Sequence, residues 1–346
     1  MLADIVEYLI CPVCRTDLRL GETALRCARG HAFDVARQGY VSLLVGSRPP
    51  GTADSAAMVD ARARFLTAGH YAPLARAVAE AVREHTAAEN VPTEHEPSTE
   101  TNDGGKLRAY RGAGVQAGDG AGPRGPGREP EFVEGRRAEG WTAPVIVDAG
   151  AGTGHYLVAA LDAVNGGIGM AFDVSKHAVR RAARAHPRVG AFVADVWRPL
   201  PIRDGVADVV IDVFAPRNGP EFRRILRPDG VVVVVTPDRT HLSPLVEELG
   251  LLSVDEEKDL RVARSMEGFV ETGRRSIEFG MELGRDDIAQ VIGMGPSAWH
   301  TDEAELNDRI AGYLYRNGGK GSEKAVTRAA FHLSTFQPVS RSRSVS

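Results

Sequence analysis

From Val145 to Val235 the chain alternates short, nearly continuous apolar runs with segments of helical period. Val145-Ile-Val-Asp148 reads as a strand buried on both faces, and His155 to Val164 as the helix after it. Ile168 to Phe172 and Ala191 to Ala194 repeat the strand pattern, each run closing on an acid, Asp173 and Asp195. Val206 to Pro216 reads as a fourth strand and Pro220 to Leu226 as a helix. Pro228-Asp229-Gly230 reads as a turn before a fifth strand, Val231 to Val235. Strands alternating with helices at this pitch predict an α/β fold, a doubly wound Rossmann-like parallel sheet with its ligand at the carboxyl ends of the strands.

Upstream, residues 52–83 carry a helical pattern, with Asp54 and Ser55 as caps before Met58, Ala61, Phe65 and Leu66. Gly69 breaks it, and Pro73 sits near the start of a second helix, Leu74 to Val82. Residues 49–83 therefore read as a helical connector. From 84 to 141 the apolar period is lost among Glu, Pro and Gly, so the segment buries too little surface to offset its ordering entropy and is expected to be a disordered insertion. Residues 142–335 form the sheet domain in this reading, and 336–346 a disordered tail.

The glycines decide what kind of ligand is expected. Asp148-Ala-Gly150-Ala-Gly152-Thr-Gly154 places glycine at every second position between strand and helix, where the backbone must turn sharply and approach a ligand closely. A helix start at His155 would offer its N–H groups to an anionic group over the turn. The dinucleotide fingerprint started at Gly150 would need glycine at position 155, where His155 stands. The spacing instead resembles the first motif of class I S-adenosylmethionine-dependent methyltransferases. Asp173, at the end of the second strand, is placed to accept the ribose hydroxyls, and Asp195 to approach the adenine amine.

The three cysteines all lie in the first thirty residues, as Cys11-Pro-Val-Cys14 and Cys27, with His31 four residues further on. Two close ligand pairs at that separation suit a tetrahedral zinc ion, and four protein ligands make the metal structural. Six arginines against three acids between residues 11 and 48 give this segment a modest positive excess. The formal charge of −4 for the whole chain gives no global case for nucleic acid. With 43% apolar and 25% charged residues, no apolar run of membrane-spanning length and no secretory pattern at Met1 to Glu7, the expectation is a soluble cytoplasmic protein without membrane contact.

Taken together, these residues resemble the bacterial 23S rRNA (guanine-N1)-methyltransferases, a family that includes macrolide-resistance enzymes. The resemblance rests on the zinc pattern continued by Phe33-Asp34 and Gln38 to Leu44, and on Asp54-Ser55-Ala56, Ala61-Arg62, Phe65-Leu66 and Ala68 to Tyr71. It runs on through Asp173 to Lys176, Phe214-Ala215-Pro216, Thr236-Pro237, His241-Leu242 and Met294-x-Pro296-x-Ala298-Trp299. Asp212, Gly295 and the insertion depart from the family pattern.

The resemblance implies that Tyr71, the segment Gly154, His155, Tyr156 and Leu157, and His241 border S-adenosylmethionine. With Asp148, Gly150, Gly152, Asp173 and Asp195 they make up the expected cofactor site. It implies that residues 1–48 are a zinc-binding RNA-recognition domain, that 49–83 contribute to the cofactor site, and that 23S rRNA is the partner. A homodimer is a further expectation.

The reaction implied is transfer of a methyl group to N1 of a guanine in a 23S rRNA hairpin, with macrolide resistance as a physiological role. The protein must align N1 with the methyl carbon and remove the N1 proton. Asp212, near the end of the fourth strand, is the one local candidate for general base. Two other readings use the same residues. A methyltransferase for a phenol or quinone needs no zinc module, and a non-catalytic RNA-binding protein needs neither Asp148 nor Asp173.

Overall fold

The computed structural model describes residues 1–46, 53–88, 143–251, 262, 264–295, 303–318 and 323–339. Residues 89–141 of the expected insertion and 340–346 of the expected tail lie outside them, as do Arg48 and the Pro296 to Trp299 portion of the resemblance.

The chain opens with a short helix α1 (Leu2–Ile5) and then three antiparallel strands, β1 (Leu18–Leu20), β2 (Ala24–Cys27) and β3 (Ala32–Asp34). A fourth strand, β4 (Tyr40–Ser42), leaves this ribbon and pairs in parallel with β7 (Val189–Val193) of the main sheet. The N-terminal ribbon is therefore packed against the sheet through β4. Ile5, Leu9, Val41 and Leu43 are fully or almost fully buried in one cluster with Val145, Phe172 and Phe192 of the sheet. Ile5 lies so close to Gly190 that any side chain there would collide with it.

Two helices follow, α2 (Ala56–Thr67) and α3 (Ala72–Ala88). Ser55 caps α2, its Oγ accepting the Met58 N–H at 3.2 Å. α3 extends five residues past the expected boundary at 83, because Thr86 is buried and returns its hydroxyl to the Val82 carbonyl. The polar composition from Glu84 onward had masked that last turn.

The main sheet is built from β5 (Val145–Ala149), β6 (Ile168–Asp173), β7, β8 (Ala207–Val213) and β9 (Leu226–Pro237), closed by β10 (Phe269–Leu283) and β11 (Ala325–Pro338). Its order is β10-β11-β9-β8-β5-β6-β7-β4. From β4 to β9 neighbours run parallel; β11 and β10 are antiparallel. β10 and β11 pair along almost their whole length, and β11 continues through Pro338, past the boundary expected at 335. The expected Pro228 to Gly230 turn is a register break inside β9, where Leu226 pairs with Ala207 and Val231 with Val209.

Helices cover both faces: α4 (His155–Ala163), α5 (Lys176–Ala182), α6 (Gly219–Ile225), α7 (Leu245–Glu248), α8 (Arg285–Gly293) and α9 (Glu303–Asn317). The odd and even positions of the buried strands fall into two different clusters. Ile146, Val209, Ile211 and Val213 face α3 and α4, while Val145, Val147, Val210 and Val232 face α1 and α6. Among the described residues no helix is long and apolar enough to cross a membrane.

Candidate functional site

At the carboxyl ends of β5, β6, β7 and β8 lies a cavity of about 290 Å³. Of the residues expected to bind the cofactor, Tyr71, Asp148, Gly150, Gly152, His155, Tyr156, Asp173 and Asp195 line it. β5 delivers Asp148 and the glycine turn, β6 Asp173, and the loop after β7 Asp195. Gly150 has φ 68°, and a Cβ there would stand 2.6 Å from that of Ala215, so only glycine lets the turn and the loop after β8 close together.

Each acid is held differently. Asp173 accepts the Gly152 N–H at 3.0 Å and the Ser175 N–H at 2.8 Å; burial still raises its carboxyl above the ordinary range, against those two donors. Asp195 accepts the Trp197 N–H at 3.0 Å. Asp148 is buried, and its Oδ2 has no partner among the described residues. Burial, reinforced by the nearby Asp173 and opposed by the Leu157 N–H, pushes its carboxyl up to about 8. His155 Nε2 is likewise buried without a partner, and burial lowers this imidazole's affinity for a proton. Unsatisfied polar atoms on the wall of a cavity are what a polar ligand would complete.

Three expected residues stand outside the cavity wall. Gly154 is the N-cap of α4 and packs against Ala182. The Leu157 side chain is fully buried in the core, and this residue reaches the site only through its N–H to Asp148. His241 lies behind Tyr71, with its Nε2 3.0 Å from the Tyr71 hydroxyl, while its Nδ1 accepts the Ala330 N–H at 3.3 Å. That second bond puts the proton of the neutral ring on Nε2, so His241 donates to Tyr71.

Within the glycine turn itself most N–H groups are bonded inside the fold. Ala151 N–H is bonded to the Phe172 carbonyl at 2.9 Å, Gly152 N–H to Asp173, and Gly154 N–H to the Ala151 carbonyl at 2.8 Å.

Asp212 is not placed to act on a substrate in this cavity. Alternation along β8 turns Val213 into the cavity wall and Asp212 to the other face of the sheet. There its carboxyl is fully buried beside Arg217, 3.2 Å from Oδ1, and burial outweighs that guanidinium to raise it well above the ordinary range. Nor does it point into solvent, the ordinary fate of an aspartate at a strand end.

Several wall residues were not among those expected to bind the cofactor, although Phe214 belongs to the family resemblance. Asp54 read as a helix cap, but Ser55 does the capping, and Asp54 Oδ2 lies 2.5 Å from Arg62 of α2. Trp197 and Phe214 are large apolar side chains left 65% and 43% exposed at the cavity. Phe214 has φ 59°, a left-handed conformation that costs a β-carbon-bearing residue energy and that clusters at functional sites. Its ring meets Tyr71, Tyr156 and Phe331 at centroid separations of 6.5, 6.4 and 5.5 Å.

In the ribbon, Cys11, Cys14, Cys27 and His31 each present one ligand atom, all within 4.8 Å of one another. Cys14 Sγ lies 3.7 Å from Cys27 Sγ, and His31 Nδ1 lies 3.3 Å from Cys27 Sγ and 3.6 Å from Cys11 Sγ. A tetrahedron with Zn–S bonds of about 2.3 Å separates sulfurs by roughly 3.8 Å, so the spacing fits a four-ligand structural zinc. The Thr16 hydroxyl, 3.1 Å away, helps bring the Cys14 thiol down to about 6, toward the thiolate that zinc requires.

A sheet in this order, with a glycine turn and acids at three neighbouring strand ends, defines an S-adenosylmethionine-dependent methyltransferase, here with a zinc ribbon built into one edge. Residues 9–46 match the family model described as RlmA, N-terminal, a zinc ribbon, and residues 147–234 match that of a methyltransferase domain. A protein of Micromonospora griseorubida, described as a 23S rRNA (guanine-N1)-methyltransferase, is 45% identical over 98% of this chain and 100% of its own length. The 23S rRNA (guanine(748)-N1)-methyltransferase of Streptomyces fradiae is 42% identical over 90% of this chain and 92% of its own. A Bacillus subtilis protein of like description is 29% identical over 68% of this chain and 66% of its own. The chain belongs to the 23S rRNA (guanine-N1)-methyltransferase family.

Proposed function

We propose that the protein transfers a methyl group from S-adenosylmethionine to N1 of a guanine in a 23S rRNA hairpin. The observation that carries this reading is the union of the zinc ribbon with the cavity. β4 leaves the ribbon and pairs with β7, and the loop after β7 holds Asp195 on the cavity wall. An RNA held by the ribbon is thereby held beside the site.

The ribbon has a surface suited to phosphate. Arg19 and Arg26 stand directly opposite each other on β1 and β2, both exposed. Like charges in that register repel, and a polyanion across them would relieve the repulsion. S-adenosylmethionine, when bound, supplies a methyl group already activated on a sulfonium, which leaves the chain the tasks of binding, alignment and exclusion of water. Tyr71, Tyr156 and Phe214 form an aromatic wall for that purpose, and Phe214 and Trp197 offer faces on which an unpaired base can stack.

Purified protein incubated with labelled S-adenosylmethionine and unmodified 23S rRNA, followed by primer extension, tests the reading. A reverse-transcriptase stop at one guanine is expected, because N1 methylation blocks Watson–Crick pairing, and its position can be compared with the guanine 748 of the Streptomyces relative. Absence of label in the RNA would overturn it. The same proposal places the protein in the cytoplasm and extends to a homodimer, which sedimentation of the full chain tests. A role in macrolide resistance predicts higher macrolide tolerance when the gene is expressed in a sensitive strain.

A further inference from the structure

On the wall of the cavity Asp54, Asp148, Asp173 and Asp195 are acceptors when ionised, and they suit the ammonium and hydroxyl groups of an aminoacyl nucleoside. None of them, when ionised, can hold its carboxylate, and Asp148 with its proton kept offers one uncharged O–H at most. Of the nearby backbone donors, the N–H groups of Ala151, Gly152, Gly154 and Leu157 already have partners, and those at the very start of α4 are uncharged, so a full positive charge has to come from a side chain. Burial disfavours the charged form of His155. Among the described residues lining the cavity, Arg62 is the sole arginine or lysine.

Arg62 is also held in place. Its NH1 meets Asp54 Oδ2 at 2.5 Å, and its NH2 donates to the Met294 carbonyl at 3.0 Å. Asp54 is itself tied to the sheet domain, because its carbonyl accepts the Ser175 hydroxyl at 2.7 Å. The guanidinium lies directly over the glycine turn: a Cβ at Gly152, where φ is 53°, would come within 3.2 Å of NH1. The second glycine of the turn thus makes room for a cation from a helix outside the sheet. A guanidinium has five N–H donors, and these two contacts leave others for a carboxylate placed against the turn.

We infer that Arg62 binds the α-carboxylate of the methyl donor, with Asp54 and the Met294 carbonyl positioning it. This rests on the methyltransferase reading above and assigns one group of the donor to one residue of the chain.

The test separates that group from the rest of the molecule. Calorimetric titration of the full chain with S-adenosylhomocysteine, which keeps the amino-acid portion, is set beside titration with 5′-methylthioadenosine, which lacks it. Arg62→Gln is expected to weaken S-adenosylhomocysteine by about 10- to 100-fold, the range for loss of a charged hydrogen bond, and to leave 5′-methylthioadenosine unchanged. Arg62→Lys, which keeps the charge, is expected to fall between wild type and Arg62→Gln for S-adenosylhomocysteine, and it stands in should Arg62→Gln not fold. Equal weakening of both ligands would overturn the inference, showing that Arg62 only shapes the cavity. No change in either would overturn it as well. A wild-type chain that binds neither ligand would instead remove the methyltransferase reading, and this assignment with it.

Discussion

Asp148 and Asp212 are both buried, and they lie one residue out of step on neighbouring strands, since Asp148 pairs with Ile211. That single step puts them on opposite faces of the sheet. Asp148 borders the cavity with one oxygen that no described residue satisfies. Asp212, whose Oδ2 is likewise without a partner among the described residues, faces the other way, into a packed region where Arg217, itself bonded to the Ser265 hydroxyl, covers Oδ1. Burial raises both carboxyls, so a perturbed proton affinity does not by itself mark a functional acid. What differs is access: one acid meets a space a ligand can fill, the other meets a side chain that stabilises the fold.

The largest effect expected from breaking this contrast is on the far face. Arg217→Ala leaves a buried carboxyl without its donor and should cost about 3 kcal/mol in urea unfolding; a loss well below about 1 kcal/mol would mean that the pair holds nothing. On the cavity face, Gly150→Ala adds a Cβ 2.6 Å from that of Ala215 at φ 68°. It should cost about 2 kcal/mol of stability, the scale of a left-handed penalty with a clash added, and weaken S-adenosylhomocysteine in calorimetry.

Next comes the pH dependence of Asp148. Unfolded, it ionises near the ordinary 3.8, whereas in the folded chain it keeps its proton up to about 8. Between those values the folded state binds more protons than the unfolded one, so this group makes stability fall as pH rises. Asp148→Asn lacks that fall. Its stability relative to wild type should climb from about pH 4 to about pH 8 and be level outside that window; a pH-independent difference would show that Asp148 is ionised in the folded chain. The smallest effect is expected from Asp212→Asn, whose amide oxygen can still accept from Arg217. Stability within about 1 kcal/mol of wild type, with unchanged single-turnover methylation, would separate Asp212 from the chemistry, and a lost turnover would return it as the general base.

Much of the centre was readable because its signals are local. The run Val145 to Asp148 with glycines at 150, 152 and 154 specifies strand, turn and helix through backbone conformation alone, and four zinc ligands within 21 residues converge with little help from the rest of the fold. Asp173 and Asp195 were legible because each ends an apolar run, which fixes it at a strand terminus. The antiparallel closing strands were not. β10 carries exposed residues along most of its length, with no apolar alternation to announce it, and it is a strand because β11 pairs with it. The packing of the ribbon on the sheet was hidden as well, since Val41 pairs with Phe192 and Ile5 packs on Gly190, both far downstream in the chain.

The sequence by itself determined the class, because a sheet, a glycine turn and a zinc cluster are each set by residues near one another along the chain. It could not say which side of β8 carries Asp212, since one step of register exchanges cavity for core. Nor could it place Arg62, 90 residues before Gly152, over the turn. Both depend on how α2 and the strands pack, and only the tertiary structure decides which charged group meets a ligand and which meets a neighbour.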